Sequence, residues 1–227
     1  MITTPERLVK TPPLENGDRL SRAEFERRYQ AMPDLRKAEL IEGIVYKMAS
    51  PLRIKSHGEP HSDLITWLGT YKALTPGTIV GIEPTVRLDP DNEPQPDAVL
   101  FVPGRQATIA DDDYIEGAPE LVIEIAASSA AIDLHAKKRA YRRNGVCEYI
   151  VWRTLENKLD WFRLEADEYV VVEAEDQDIL HSQVFPGLWL DTSALLAGDM
   201  AQVLTVLQTG VATAEHQAFI NQLQSER

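Results

Sequence analysis

The chain has 227 residues, 44% hydrophobic and 26% charged, which is enough for one sizeable core and excludes a disordered or fibrous class. Its net charge of −13 excludes polyanion binding through bulk charge, so a nucleic-acid partner would need a local basic face. No run nears the roughly 20 apolar residues of a membrane span, the N-terminus lacks a signal-peptide core, and the lone cysteine, Cys147, cannot close an internal disulfide; a cytoplasmic chain with no membrane partner is expected.

Residues 1–20 hold three prolines and no periodicity, and read as an N-terminal arm. The domain proper is expected over 21–191. Ser21 followed by Glu24 is a capping-box pattern that opens a helix to about Met32. KAELIEGIVYKMA alternates about Glu42-Gly43 as a hairpin would. From Pro60, the residues Leu64, Ile65, Trp67, Leu68 and Tyr71 recur at helical spacing. TIVGI, TVRLD, DAVLFV and, after a polar acidic loop at 103–119, ELVIEIA are expected as strands of one sheet. Ala131 to Asn144 reads as a helix stopped by Gly145, and CEYIVWR, KLDWFRL and EYVVVEA return to strand. Cys147 in that run reads as a buried, inert thiol, and Trp152, Trp161, Phe162 and Trp189 as core. Beyond PGLWLD, Met200, Val203, Leu204, Leu207 and Phe219 keep helical spacing, so 192–227 read as a helical appendage. Its apolar stripe needs a cover, either the core or a second copy of the chain.

Chemistry concentrates in three places. Pro96-Asp97 puts a carboxylate at the start of DAVLF, and Glu124 stands inside the apolar run LVIEIA, where a charge is costly unless paired or bound to a metal. Strand alternation puts Asp97, Val99 and Phe101 on one face, and Val122, Glu124 and Ala126 on one face, so the carboxylates converge if the strands are neighbours in suitable register. In DLHAKKRAYRRNG, helical rotation sets Lys137 between Ala140 and Tyr141 on the arc shared with Leu134, while Arg139, Arg142 and Arg143 fall outside it. An inward lysine facing two carboxylates is either an internal ion pair or a catalytic arrangement. Two carboxylates and a lysine suit phosphodiester hydrolysis, since hard oxygen donors hold Mg2+ and leave positions for water and phosphate. The outer basic residues, Lys138 and Arg142 among them, are the candidate nucleic-acid contacts, with a solvated helix face as the competing reading. His57 and His61 flank Gly58-Glu59-Pro60 and do not make the zinc-protease HExxH, because glycine and proline oppose its continuous helix; His61 either caps a helix or faces the metal site. Ser128 and Ser129 are candidate caps for the following helix.

The segments AELIEG, His61 with Leu64 and Leu68, QPDAVLF (95–101), PELVIEIAASS (119–129), DLHAKKRAYRRNGVCEYIVW (133–152) and VFPGLWLD (184–191) together resemble the Uma-two family, formerly a domain of unknown function, in the PD-(D/E)XK nuclease superfamily. The resemblance implies a mixed α/β fold with a restriction-endonuclease-like αβββαβ core. It implies Asp97 and Glu124 as metal ligands, Lys137 as a displaced lysine, and Glu39 as a participant. Ala126 stands where the superfamily's ExK pattern has lysine, which agrees with a lysine supplied by the next helix. The resulting expectation is a Mg2+-dependent endonuclease, with Mn2+ able to substitute, acting on DNA as a homodimer, with RNA left open. The competing expectation is an inactive nuclease-fold interaction module that keeps the carboxylates as ion pairs.

Overall fold

The computed structural model describes residues 11–47, 53–127, 129–174 and 178–226. Helix α1 (Arg22–Gln30) packs over a hairpin of β1 (Ala38–Ile41) and β2 (Ile44–Lys47), around a small core of Leu14, Phe25, Ala38, Leu40 and Val45. Glu42 and Gly43 carry φ values of 53° and 72°, the paired positive angles of a two-residue hairpin turn, and glycine adopts the second without a Cβ clash. The capping box does not form. Ser21 makes no side-chain cap, and Glu24 turns to Arg27 and Arg28, each at 2.7 Å, because two guanidinium partners outcompete one backbone N–H. Part of the expected arm is ordered against the hairpin: Leu14 is buried, and the amides of Gly17 and Leu20 donate to Val45 and Gly43. Residues 1–10 lie outside the described residues.

A π-helical turn, Ile54–Gly58, leads into α2 (Glu59–Leu74), then β3 (Ile79–Ile82), β4 (Val86–Arg87) and β5 (Ala98–Phe101). Next come β6 (Ala107–Ile109), β7 (Ile115–Gly117) and β8 (Leu121–Ala126). A second π-helical turn, Ile132–Lys137, continues as α3 (Lys138–Arg143), followed by β9 (Glu148–Arg153), β10 (Lys158–Glu165) and β11 (Glu168–Val171). The central sheet runs β11-β10-β9-β8-β5-β3, with β8 and β9 parallel and its other pairs antiparallel. The order α2, β3, β5, β8, α3, β9 is the expected αβββαβ core. Every residue of β8 is buried because both faces of the sheet are covered.

Three expectations need correction. TVRLD does not join the central sheet: β4 pairs with β7 in a separate sheet of order β4-β7-β6, so the 103–119 loop itself supplies two short strands. The helix after β8 begins as a π-helical turn and only then continues as a regular α-helix. Cys147 precedes β9 and is only half-buried.

The chain ends in β12 (Ile179–His181), β13 (Trp189–Asp191), α4 (Thr192–Ala197), α5 (Met200–Val211) and α6 (Ala214–Ser225). These helices fold back on the core. Leu195, Val203, Leu207, Phe219 and Leu223 share one apolar cluster with Trp67 and Tyr71 of α2 and with Leu121, Ile123 and Ile125 of β8. The fit is close: a Cβ added at Gly210 would meet the Gly187 carbonyl oxygen at 2.4 Å. Trp67 Nε1 and Tyr71 Oη donate to the carbonyls of Trp189 and Pro186, each at 2.9 Å. The apolar stripe of the tail is thus covered within the chain. Among the described residues, no helix is long and apolar enough to cross a membrane.

Candidate active site

The face opposite α2 and the C-terminal helices carries Val99, Phe101, Val122, Ala126, Tyr149 and Val151 against Tyr141 of α3. Strand alternation puts Asp97 and Glu124 at this face, and the register brings them together: Ala98 pairs with Ile123, so one step outward sets Asp97 beside Glu124. Asp97 Oδ2 accepts the Ile125 N–H at 2.6 Å, a bond that ties the loop before β5 to the C-terminal end of β8.

Lys137 reaches the same place from the second π-turn. Its Nζ donates to Glu124 Oε1 at 3.0 Å and to Glu39 Oε1 at 2.9 Å, and faces Asp133 Oδ1 at 3.7 Å. Tyr141 Oη donates to Glu124 Oε1 at 2.8 Å. Glu39, on β1, also accepts the Gln95 N–H at 2.7 Å, so the N-terminal hairpin closes over the site. Asp133, four residues before Lys137 and so on the same helical face, is buried with it, although the sequence reading did not name it. Leu134, which the wheel placed on the inward arc, is only partly buried. Asp97, Glu124, Lys137, Glu39 and Asp133 are exposed by 5, 3, 3, 1 and 1%.

Burial works against the charge on Lys137, but Glu124, Glu39 and Asp133 outweigh it and hold its pKa well above the ordinary lysine value. Burial pushes Glu124 and Asp133 up, with Lys137 opposing. The ammonium stays, while burial opposes a charge on the Glu124 and Asp133 carboxyls. Asp97 goes the other way: burial would raise it, but the hydrogen bonds from His57 and Ile125 lower it.

His57, which sequence reasoning set aside, belongs here. Its Nε2 lies 3.1 Å from Asp97 Oδ1, and His61 Nε2 lies 3.0 Å from the Asp97 carbonyl oxygen. The signal was the i,i+4 spacing of the two histidines. The HExxH comparison discarded it because a regular helix was required, whereas a π-turn followed by a proline-containing first turn of α2 presents both rings.

The outer basic residues are occupied. Lys138 Nζ sits 3.3 Å from the Phe162 ring centroid, Arg142 pairs with Glu168, Arg139 and Arg143 pair with Glu42, and Arg143 also reaches Asp89. Ser128 lies outside the described residues; the Ser129 carbonyl accepts from Ile132 and Asp133 at the start of the helix.

The carboxylate oxygens of this site suit a divalent cation. Carboxyl groups gather around a single buried ammonium, both bonds to Glu124 fall on Oε1, leaving Oε2 open, and Asp133 Oδ1 is buried without a hydrogen bond.

This architecture is a nuclease fold. It is similar to the crystal structure of a "putative nuclease belonging to DUF820 from Anabaena variabilis ATCC 29413", with a TM-score of 0.58 at 16% identity over 75% of this chain and 96% of that one. The Uma2 family, described as "Putative restriction endonuclease", matches residues 22–193, and the chain belongs to it. No curated protein matches the chain.

Proposed function

We propose that this chain is a metal-dependent endonuclease that hydrolyses phosphodiester bonds in DNA, with Asp97 and Glu124 holding Mg2+ and Lys137 serving the reacting phosphate. The observation that carries this reading is the surplus of buried carboxyl groups: Glu124, Glu39 and Asp133 surround one lysine, and Asp97 stands beside Glu124 in the register of β5 and β8. Such a surplus is costly without a cation. Mn2+ accepts the same oxygen donors and substitutes. A bound dication supplies Lewis acidity, polarising a phosphoryl oxygen and acidifying water.

The chain's own groups divide the remaining work. Lys137, held protonated, acts as a hydrogen-bond donor and point charge toward the phosphoryl oxygens and the attacking water, and not as the base. Glu39 and Asp133 fix its ammonium, and Tyr141 fixes the Glu124 oxygen that Lys137 shares. The Ile125 N–H and His57 fix Asp97.

A second reading, a nuclease-fold interaction module, draws on the neutralised arginine face of α3, which gives a polyanion no unpaired guanidinium there. One assay separates the two. Supercoiled and linear DNA and RNA are incubated with the protein, with and without Mg2+ or Mn2+, beside Asp97→Asn and Glu124→Gln. Metal-dependent cleavage lost in both variants supports the enzyme; activity that survives both removes the site assignment. No cleavage under any condition, with stable folding, favours the module.

A further inference from the structure

Beside the Lys137 cluster, the same end of the sheet gathers nitrogen donors that oxygen-only chemistry leaves unused. His57 lies in the first π-turn, His61 in the first turn of α2, and Asp97 just before β5; each offers one donor atom, and the three atoms lie within 4.8 Å of one another. The rings meet edge-on with centroids 5.7 Å apart. The turn that carries them is anchored: Thr154 Oγ1, just past β9, donates to the Ser56 carbonyl at 2.7 Å. The turn that carries the pair is therefore tied to the end of β9.

Both oxygens that face the rings can only accept, so with no cation each Nε2 carries a proton and points it at Asp97. His57 meets the Asp97 carboxylate and His61 its main-chain carbonyl, so two imidazoles converge on a residue whose other carboxylate oxygen already takes a backbone N–H. They are also a donor set with a preference. Imidazole nitrogen binds first-row transition dications strongly, whereas Mg2+ keeps oxygen ligands and water.

We infer that His57 and His61, together with Asp97, are ligands of a first-row transition dication, and that the site takes such an ion in preference to Mg2+. This rests on the metal-dependent reading of the Asp97–Glu124 site and names the ion that site selects. The histidines set affinity and selectivity, while the carboxylates alone still admit Mg2+ more weakly.

The test uses the full chain labelled with 15N-histidine and titrated with Zn2+, a diamagnetic ion that moves the ring nitrogen it binds. The expected result is saturable displacement of the His57 and His61 ring signals at one equivalent, with His135, His181 and His216 unmoved and a hundredfold excess of Mg2+ failing to reverse it. By calorimetry, His57→Gln and His61→Gln each weaken Zn2+ by about tenfold or more, and His61→Gln leaves Mg2+ affinity within about twofold. The labelled native protein needs no variant, so a misfolded substitution cannot mask the answer. Silent His57 and His61 signals during metal binding, no Zn2+ binding at all, or native Zn2+ affinity in both variants overturns the inference. Mg2+-supported cleavage with silent histidines would remove this inference alone. Histidine ligation of Zn2+ with no cleavage in any metal would uphold it and remove the nuclease reading.

Discussion

Glu124 and Glu148 sit on neighbouring parallel strands, on opposite faces of the sheet, 3 and 0% exposed, and burial raises both carboxyls above their ordinary range. Their partners differ in kind. Glu148 spends both oxygens on fixed donors: Oε2 accepts Ser182 Oγ at 2.8 Å, and Oε1 accepts the Gln183 and Val184 N–H groups at 2.8 and 3.4 Å. Glu124 has a lysine and a phenol on one oxygen, among further carboxyls. A glutamate in an apolar strand is structural when backbone and hydroxyl donors use both oxygens. It is available for chemistry when its partners leave an oxygen and a charge imbalance.

The sharpest way to break that contrast is a paired substitution. Glu124→Gln should lower metal-dependent cleavage on the order of a thousandfold, whereas Glu148→Gln should leave the rate per folded molecule within about twofold; equal losses in the two variants would erase the distinction. Lys137→Met should cost about a hundredfold in cleavage at saturating metal, read as a fall in kcat, and a change confined to KM would move Lys137 out of the reacting centre. Glu148→Gln, in turn, should lower stability by about 1–3 kcal/mol, because charge-assisted bonds to buried donors are weakened, and a denaturant titration measures it. Tyr141→Phe removes one bond to Glu124 and should cost about 1 kcal/mol in stability, with less than about a tenfold loss of activity.

Glu93 shows a third way to bury a carboxyl, with the smallest expected effect. Burial, then the hydrogen bond with Glu26, push it up to about 8 from an ordinary 4.5, against Arg87. Between those values the folded state binds more protons than the unfolded one, so this contribution is complete below about pH 4.5 and is lost as pH rises through about 8. Glu93→Gln should therefore flatten the fall in Tm between pH 5 and pH 8.5 by a few degrees; an unchanged slope would mean that the proton is not held there.

Local periodicity was enough for several elements and for half of the site. The alternation in DAVLF and LVIEIA assigned the faces of Asp97 and Glu124, and the hairpin turn at Glu42-Gly43 follows from a glycine free to take positive φ. Lys137 turned inward as the wheel required, and Asp133, four residues earlier, shares its face. His57 stayed hidden because a π-turn is a backbone hydrogen-bond shift with no side-chain signature. VCEYIVW buries Glu148 in an apolar run as LVIEIA buries Glu124, and only the distant loop that brings Ser182 and Gln183 tells them apart.

By itself, then, the sequence determined which residues could lie on the buried faces of strands and helices, because side-chain direction repeats with a fixed local period. The tertiary structure alone decided their company. Glu39 meets Lys137 across 98 positions, His57 meets Asp97 across 40, the arginines of α3 find acidic partners on β-turns and β11, and the C-terminal helices enter the core around Trp67. Such contacts depend on strand order and on how whole elements pack, and no local pattern in the chain encodes either.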